Sequence, residues 1–99
     1  MNSSLLYEIY LYVANKERKT AAVKRQSYEE ASLLRDIERE LSINIANILY
    51  YPYKSTHEVE KQIDKYLIEN YKISISSVTS KQLLREINLK EIFENEWKR

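Results

Sequence analysis

The residues that could support acid–base or metal chemistry are few and widely spaced in this chain. His57 is the only histidine, cysteine is absent, and Asp36 and Asp64 are the only aspartates. The acids nearest to His57, Glu58 and Glu60, stand where a helix commonly places carboxylates near its N-terminus. The absence of glycine also excludes a phosphate-binding P-loop and a dinucleotide-binding turn. The sequence therefore predicts a protein that is not an enzyme, with no catalytic residue, no metal site and no cofactor.

A group of positive charges could instead contact the phosphates of a nucleic acid. Five cationic side chains lie close together in the sequence: Lys16, Arg18, Lys19, Lys24 and Arg25. Each phosphate neutralised by such a side chain makes the affinity more sensitive to salt. However, Glu17 interrupts the group and the net charge of the chain is only +1. Nucleic-acid binding is therefore an alternative and not the favoured interpretation.

Tyr50, Tyr51 and Tyr53 form the densest aromatic group of the chain, and they bracket Pro52. Tyrosine is favoured at protein interfaces because its large rigid ring buries area while its hydroxyl stays hydrogen-bonded. The same rings could equally cover the core where two helical hairpins meet. The sequence leaves open whether these three residues are interface aromatics or internal packing.

The composition of the 99 residues favours a helical fold. The chain is 43% hydrophobic and 31% charged, as in folded soluble domains. It has no glycine for the tight turns that a β-rich fold needs. The longest apolar run, Leu5 to Ala14, is too short to cross a bilayer and contains Glu8. We therefore predict a single all-α domain over residues 1–99, cytoplasmic and without membrane contact.

The first predicted helix covers about residues 5–25, with Ser3 or Ser4 as its N-cap. Apolar residues occupy most of its circumference: Leu5, Ile9, Tyr12 and Val13 in one stripe, widened by Leu6, Tyr7, Tyr10 and Leu11. A helix of this kind is normally buried on more than one side. We therefore expect its neighbours to include a second copy of the chain, which makes the protein a homo-oligomer.

The second predicted helix begins at a capping box formed by Ser27 and Glu30. It ends at Pro52, because the residue before a proline avoids the α region. Its apolar residues recur at steps of three and four: Ala31, Leu34, Ile37, Leu41, Ile45 and Ile48. Packing this helix against the first predicts an antiparallel hairpin over residues 1–51, with its corner near residues 25–27.

The third predicted helix opens the C-terminal region, residues 55–99. Ser55 and Glu58 form its capping box, and it continues to about Tyr71. Its inner face is predicted to contain Val59, Ile63, Tyr66 and Leu67. Residues 72–79 then alternate apolar and polar types, which predicts either a short extended edge for a partner strand or an irregular connector.

The last predicted helix begins at a further capping box, formed by Thr79 and Gln82. Asn88 and Glu91 repeat the pattern and could divide this helix into two pieces. Its apolar residues are Leu83, Leu84, Ile87, Ile92, Phe93 and Trp97. The predicted architecture is thus an N-terminal antiparallel helical hairpin packed with two or three C-terminal helices.

The corner and the start of the second helix resemble a known family. The pair Ala21 and Ala22 is followed by a turn and then by residues 28–41, Tyr-Glu-Glu-Ala-Ser-Leu-Leu-Arg-Asp-Ile-Glu-Arg-Glu-Leu. This order resembles the UVR motif shared by the B and C subunits of the excision-repair nuclease. That motif has an alanine pair, a turn, an aromatic residue, two acids, two small residues and Leu-Arg-Asp. Ser32 replaces the second alanine of the small pair, and Ile37-Glu38 inverts the family's acidic-then-isoleucine order.

In that family the hairpin docks one protein onto another and is not catalytic, and similar hairpins occur in chaperone ATPases and their adaptors. The resemblance therefore implies a protein–protein interaction module, namely a small adaptor or regulator. The docking residues that it implies are Tyr28, Leu34, Arg35, Asp36 and Leu41. Two alternatives stay open. One is a phage or mobile-element protein that acts as a virion component or inhibits a host enzyme. The other is an accessory protein associated with nucleic acid.

Overall fold

A computed structural model describes the backbone of residues 2–86 and the side chains of residues 5–86. This part of the chain contains helices and no strand. Helix α1 spans Asn2–Lys24, α2 spans Tyr28–Ile48 and α3 spans Thr56–Tyr71, and α4 covers residues 80–86. Helices α1 and α2 pack as a hairpin with α3 against it, so the predicted all-α architecture is confirmed. The predicted break at Asn88 and Glu91 lies outside the described residues, as do Ile87, Ile92, Phe93 and Trp97.

The main core lies where α1, α2 and α3 meet, and α4 adds one leucine to it. Its buried apolar side chains are Leu5, Leu6, Ile9, Tyr12, Val13, Ile45, Ala46, Val59, Ile63, Leu67 and Leu83. A second and smaller cluster near the corner consists of Ala22, Ala31 and Leu34. Full burial of one large aliphatic side chain contributes about 1.5–3 kcal/mol. The main core is therefore the chief source of stability in the described part of the chain.

The inward face of α2 differs from the predicted apolar stripe near its middle. Ile37 belongs to that stripe but is 43% exposed, whereas Glu38 is only 7% exposed and Ser42 is fully buried. The row that faces the interior runs from Leu34 through Glu38 to Ser42. Glu38 is tolerated there because Lys19 supplies a counter-charge. A hydrophobic pattern cannot reveal a buried carboxylate whose partner lies on another helix, so the prediction for Ile37 was wrong.

Two of the predicted helix starts agree with the structure. Ser55 is the N-cap of α3, and its hydroxyl accepts a hydrogen bond of 3.2 Å from the Glu58 amide. Before α4, the Gln82 side chain accepts from the Thr79 amide at 3.0 Å, and the Thr79 hydroxyl accepts from the Gln82 amide at 3.2 Å. These bonds satisfy amides that have no partner inside the helix.

The starts of α1 and α2 require corrections. Ser3 and Ser4 are not N-caps, because α1 already begins at Asn2. The apolar pattern does not fix where α1 starts, because the amides of a first turn have no partner inside the helix wherever that turn lies. Ser27 does precede α2, but its side chain makes no capping bond. The Glu30 carboxylate instead accepts a 2.8 Å hydrogen bond from Arg25. The predicted capping box is therefore wrong although the helix start is right.

Each of the three long helices is followed by a residue in the left-handed region, although the chain has no glycine. Gln26 has φ 60°, Tyr50 has φ 55° and Lys72 has φ 58°. A side chain with a Cβ adopts this conformation only at a cost, so glycine is the residue usually found at such positions. The hydrogen bonds that close the helix ends must offset that cost at these three positions.

The end of α2 shows these bonds clearly. The Tyr51 amide donates to the Ala46 carbonyl at 2.9 Å, and the Tyr50 amide donates to the Asn47 carbonyl at 3.2 Å. This pair of bonds is the Schellman arrangement. It ends α2 at Ile48, well before Pro52. The proline therefore lies beyond the helix and does not terminate it, contrary to the prediction.

The segment between α3 and α4, residues 72–79, is an irregular connector with a turn at residues 75–77. Asp64 on α3 anchors it: one carboxylate oxygen accepts from the Ser74 hydroxyl at 3.2 Å and from the Ile75 amide at 2.9 Å. The connector is thus the correct one of the two predicted alternatives, since the polar residues bond to α3 and to the turn itself.

Candidate protein interaction surface

The docking residues implied by the family resemblance divide between the surface and the interior. Tyr28 is 66% exposed, and Arg35 and Asp36 are also exposed on α2. Leu34 is only 3% exposed and belongs to the small cluster near the corner. Leu41 is half-buried and packs against the main core. Tyr28, Arg35 and Asp36 are therefore accessible, while Leu34 and Leu41 hold α2 within the fold.

Two further apolar side chains of α2 are accessible, and neither is among the docking residues that the resemblance implies. Leu33 is 64% exposed and Ile37 is 43% exposed. Residues four apart lie on the same face of a helix, so the two side chains are neighbours. Leu33 could have been found from the sequence, because it is a large apolar residue outside the inward stripe.

Carboxylates accompany this apolar pair along the helix. Glu29, Asp36 and Glu40 are exposed and lie on the same side of α2 as Leu33. None of these acids forms an ion pair within the described residues. We call the set of Leu33, Ile37, Glu29, Asp36 and Glu40 the outer α2 surface. It combines an apolar centre with carboxylates that form no ion pair among the described residues.

Buried polar contacts fix the other side of α2 to α1. The Lys19 ammonium lies 3.0 Å from each carboxylate oxygen of Glu38. Asn15, which is 6% exposed, donates a 2.8 Å hydrogen bond from its side-chain amide to the Leu34 carbonyl. Charge-assisted and buried hydrogen bonds of this kind specify how two helices align along their axes. The outer α2 surface is therefore carried on a helix of fixed position.

A second group of polar contacts joins α1 to α3. The Tyr12 hydroxyl donates to Glu60 at 3.3 Å, and the same carboxylate oxygen forms an ion pair with Lys16. Burial of the Tyr12 ring, together with the negative charges of Glu60 and Glu38, raises the pKa of its hydroxyl well above the ordinary value near 10. The phenol therefore remains protonated at neutral pH and acts as a hydrogen-bond donor in the core.

The five predicted phosphate contacts do not share one accessible surface. Lys16 and Lys19 are engaged in ion pairs with α3 and α2. Arg25 bonds at 2.8 Å to a glutamate in the first turn of α2. Arg18 and Lys24 are exposed, and neither forms an ion pair within the described residues. The arrangement leaves two cations free to contact phosphate instead of five.

The three clustered tyrosines also occupy different environments. Tyr50 is 96% exposed, while Tyr51 and Tyr53 are half-buried. The Tyr53 hydroxyl lies 3.2 Å from the Thr56 hydroxyl at the start of α3, within the internal packing. Of the three rings, Tyr50 is thus the one that is most accessible to a partner.

His57 is exposed, and no group of three or more histidine or acidic side chains within residues 2–86 could hold a metal ion. An open cleft of about 370 Å³ is lined by Lys72, Ser74, Ser77 and Arg85 among others. The serine hydroxyls there already donate, to Asp64 and to the Ser74 carbonyl. The hydroxyls of Ser74 and Ser77 in this cleft are therefore engaged within the fold.

Comparison with known proteins gives no match to this chain: no family model, no curated protein and no solved structure. Within residues 2–86, none of the helices combines the length and the apolar character needed to cross a membrane.

Proposed function

We propose that the chain is a non-catalytic protein–protein interaction module, an adaptor or regulator that docks through the outer α2 surface of its UVR-like hairpin. The observation that carries this proposal is the exposure of Leu33 and Ile37, at 64% and 43%, side by side on one helix. Scattered single apolar residues are normal on a protein surface, but adjacent ones on a rigid helix favour contact with a partner.

The charges of the outer α2 surface define the chemistry of the partner. Glu29, Asp36 and Glu40 are exposed and without ion pairs among the described residues. A complementary surface would present an apolar groove for Leu33 and Ile37 with basic side chains on its rim. Charge attraction of this kind weakens at high salt, whereas the apolar contact persists. Binding is therefore expected to become weaker but not vanish as salt is raised.

The same features favour a protein partner over a nucleic acid. The outer α2 surface carries three carboxylates, which repel phosphates. Lys16 and Lys19, two of the cations that a nucleic-acid function would use, are engaged in ion pairs with Glu60 and Glu38. The accessory nucleic-acid role therefore has less support than the adaptor role.

An affinity pull-down from cells that naturally make the protein tests the proposal. The double variant Leu33→Ser/Ile37→Ser should lose the partner while keeping its helical circular-dichroism spectrum, because both side chains are largely outside the core. The matched control is Ile68→Ser/Leu84→Ser, which removes two apolar side chains that are 45% and 41% exposed on other helices. If both variants retain the same partner, the outer α2 surface is not the docking site.

A further inference from the structure

A cleft lies where the connector between α3 and α4 meets the described part of α4, and we call it the α3–α4 cleft. Its volume is about 370 Å³, which falls at the lower end of the range for sites that bind small molecules. It shares no residue with the outer α2 surface. Charged, polar and aliphatic residues contribute to its lining, which includes Lys72, Ile73, Val78, Gln82, Arg85 and Glu86.

Positive charge predominates in this lining. Lys72 and Arg85 are both exposed, and neither forms an ion pair within the described residues. Glu86 is the one acid among the lining residues and is half-buried. The lining therefore sets two cations against one carboxylate, and the two cations come from different segments of the chain. This arrangement favours an anion that both cations can contact at once.

The backbone that carries Lys72 is fixed at the end of α3. The Lys72 amide donates to the Ile68 carbonyl at 3.1 Å, and the next amide along the chain, that of Ile73, donates to the Leu67 carbonyl at 3.3 Å. These two bonds hold Lys72 in the left-handed region, at φ 58°. A cation on a backbone of fixed conformation costs less entropy to order around a ligand than one on a mobile loop.

The segment that carries Arg85 is also anchored to the rest of the fold. Leu83, two residues earlier, is only 1% exposed and belongs to the main core. The Ser80 amide donates to the Glu17 carboxylate of α1 at 3.2 Å. The two sides of the α3–α4 cleft are therefore held in place before any ligand binds.

Gln82 supplies a third group that can donate to an anion. Its side-chain oxygen accepts from the Thr79 amide at 3.0 Å, which leaves the two N–H groups of the same side chain as donors. The serine hydroxyls of the cleft already donate within the fold. An anion in the cleft would therefore take its hydrogen bonds from Lys72, Arg85 and Gln82.

We infer that the α3–α4 cleft binds a small phosphate monoester. A phosphate monoester carries nearly two negative charges at neutral pH, and the fork of a guanidinium and the point charge of an ammonium are the side-chain groups that bind it best. The carbon atoms of its organic part would contact Ile73 and Val78, and a hydroxyl on that part would donate to Glu86. The inference does not depend on the docking proposal, because the two surfaces lie on different elements.

Titration followed by NMR of the ¹⁵N-labelled chain tests the site directly. The probes are glycerol 3-phosphate and inorganic phosphate, each added at constant ionic strength so that screening does not change. Glycerol 3-phosphate should shift the amide signals of residues 72–78 and 82–86 in a saturable manner. Inorganic phosphate should shift the same signals with lower affinity, because it lacks the organic part.

Charge-removing variants show which side chains hold the anion. Lys72→Gln and Arg85→Gln should each weaken the affinity for glycerol 3-phosphate by about tenfold, because each loses a charged donor. Lys24→Gln is the matched control. Lys24 is exposed and forms no ion pair among the described residues, but it lies at the end of α1, outside the cleft. Its replacement should leave the affinity unchanged.

Lys72→Gly separates binding from folding. It removes the cation and also relieves the cost of a Cβ at φ 58°, so the variant should unfold at a higher temperature and yet bind glycerol 3-phosphate about tenfold more weakly. Gln26→Gly makes the same backbone change at φ 60° after α1. It should also raise the unfolding temperature, with no change in affinity. Weaker binding by Lys72→Gly therefore cannot be attributed to unfolding.

Three results would overturn the inference. The first is an adventitious ion only, seen as small, non-saturable shifts next to every exposed lysine and arginine. The second is an equal loss of affinity in Lys72→Gln and Lys24→Gln. The third is equal affinity for inorganic phosphate and glycerol 3-phosphate, which would show that the cleft does not contact the organic part of a monoester.

Discussion

The ammonium of Lys19 lies 3.0 Å from both carboxylate oxygens of Glu38, and Glu38 is only 7% exposed. This pair joins the C-terminal third of α1 to the middle of α2, at a level where the sequence pattern predicts apolar contact. It also fixes which side of α2 is presented to solvent. With Glu38 turned inward, Leu33 and Ile37 are turned outward.

Breaking this ion pair from one side should be costly. In Lys19→Met the Glu38 carboxylate stays buried without a counter-charge, and we expect a loss of about 1–3 kcal/mol in the free energy of unfolding. This is less than for a fully enclosed pair because the Lys19 side chain is 26% exposed. Urea denaturation measures the loss. The double variant Lys19→Met/Glu38→Leu should recover most of the lost stability. A double-mutant cycle with zero coupling energy between the two positions would contradict a stabilising Lys19–Glu38 ion pair.

The buried Tyr12 hydroxyl should make stability depend on alkaline pH. Burial and the nearby carboxylates raise the pKa of Tyr12 in the folded chain, so the folded chain keeps a proton that the unfolded chain releases near pH 10. Below about pH 10 both states keep the Tyr12 proton, so Tyr12 makes the free energy of unfolding no more dependent on pH there. Above it the folded state binds more protons, and stability falls by up to about 1.4 kcal/mol per pH unit.

Urea denaturation between pH 9 and pH 11 (roughly one unit either side of the ordinary tyrosine pKa) checks this expectation. Tyr12→Phe should have a flatter pH dependence than the unmodified chain, although it loses the hydrogen bond to Glu60. Tyr28→Phe is the control, because Tyr28 is 66% exposed and makes no buried contact through its hydroxyl. Equal slopes for Tyr12→Phe and the unmodified chain would contradict the account.

Tyr50→Gly should stabilise the protein. Tyr50 is 96% exposed and has φ 55°, so its side chain contributes little packing while its Cβ raises the energy of the left-handed backbone. The gain is reduced by the greater entropy of glycine in the unfolded chain, which leaves about 0.5–1 kcal/mol. Thermal or urea unfolding measures it. Glu40→Gly, at an exposed position inside α2, should have the opposite sign and lose about 0.5–1 kcal/mol.

The helix boundaries that can be read from the sequence are those set by residues within one turn of the chain. Ser55 and the Thr79–Gln82 pair mark helix starts correctly, because a cap acts within one turn of the chain. The end of α2 is missed because glycine normally marks a Schellman turn, and here Tyr50 takes its place. A search for glycine or proline therefore selects Pro52 and overlooks Ile48.

The candidate site is harder to predict because it depends on which side of α2 faces α1. Ile37 and Glu38 are neighbours in sequence, and the hydrophobic pattern assigns the isoleucine to the interior. The structure reverses them because Lys19, on the other helix, neutralises Glu38. Leu34 is likewise assigned to docking by resemblance but packs inside the hairpin. Long-range pairing of this kind leaves no signal in a single sequence.

Docking through the outer α2 surface is tested most directly by site-specific photo-cross-linking in cells that naturally make the protein. A photoreactive phenylalanine analogue is placed at Leu33 in one variant and at Ile68, an exposed position on α3, in the other. Docking through this surface predicts a covalent adduct with a partner from position 33 and none from position 68. An adduct of equal yield from both positions, or from position 68 alone, would contradict it.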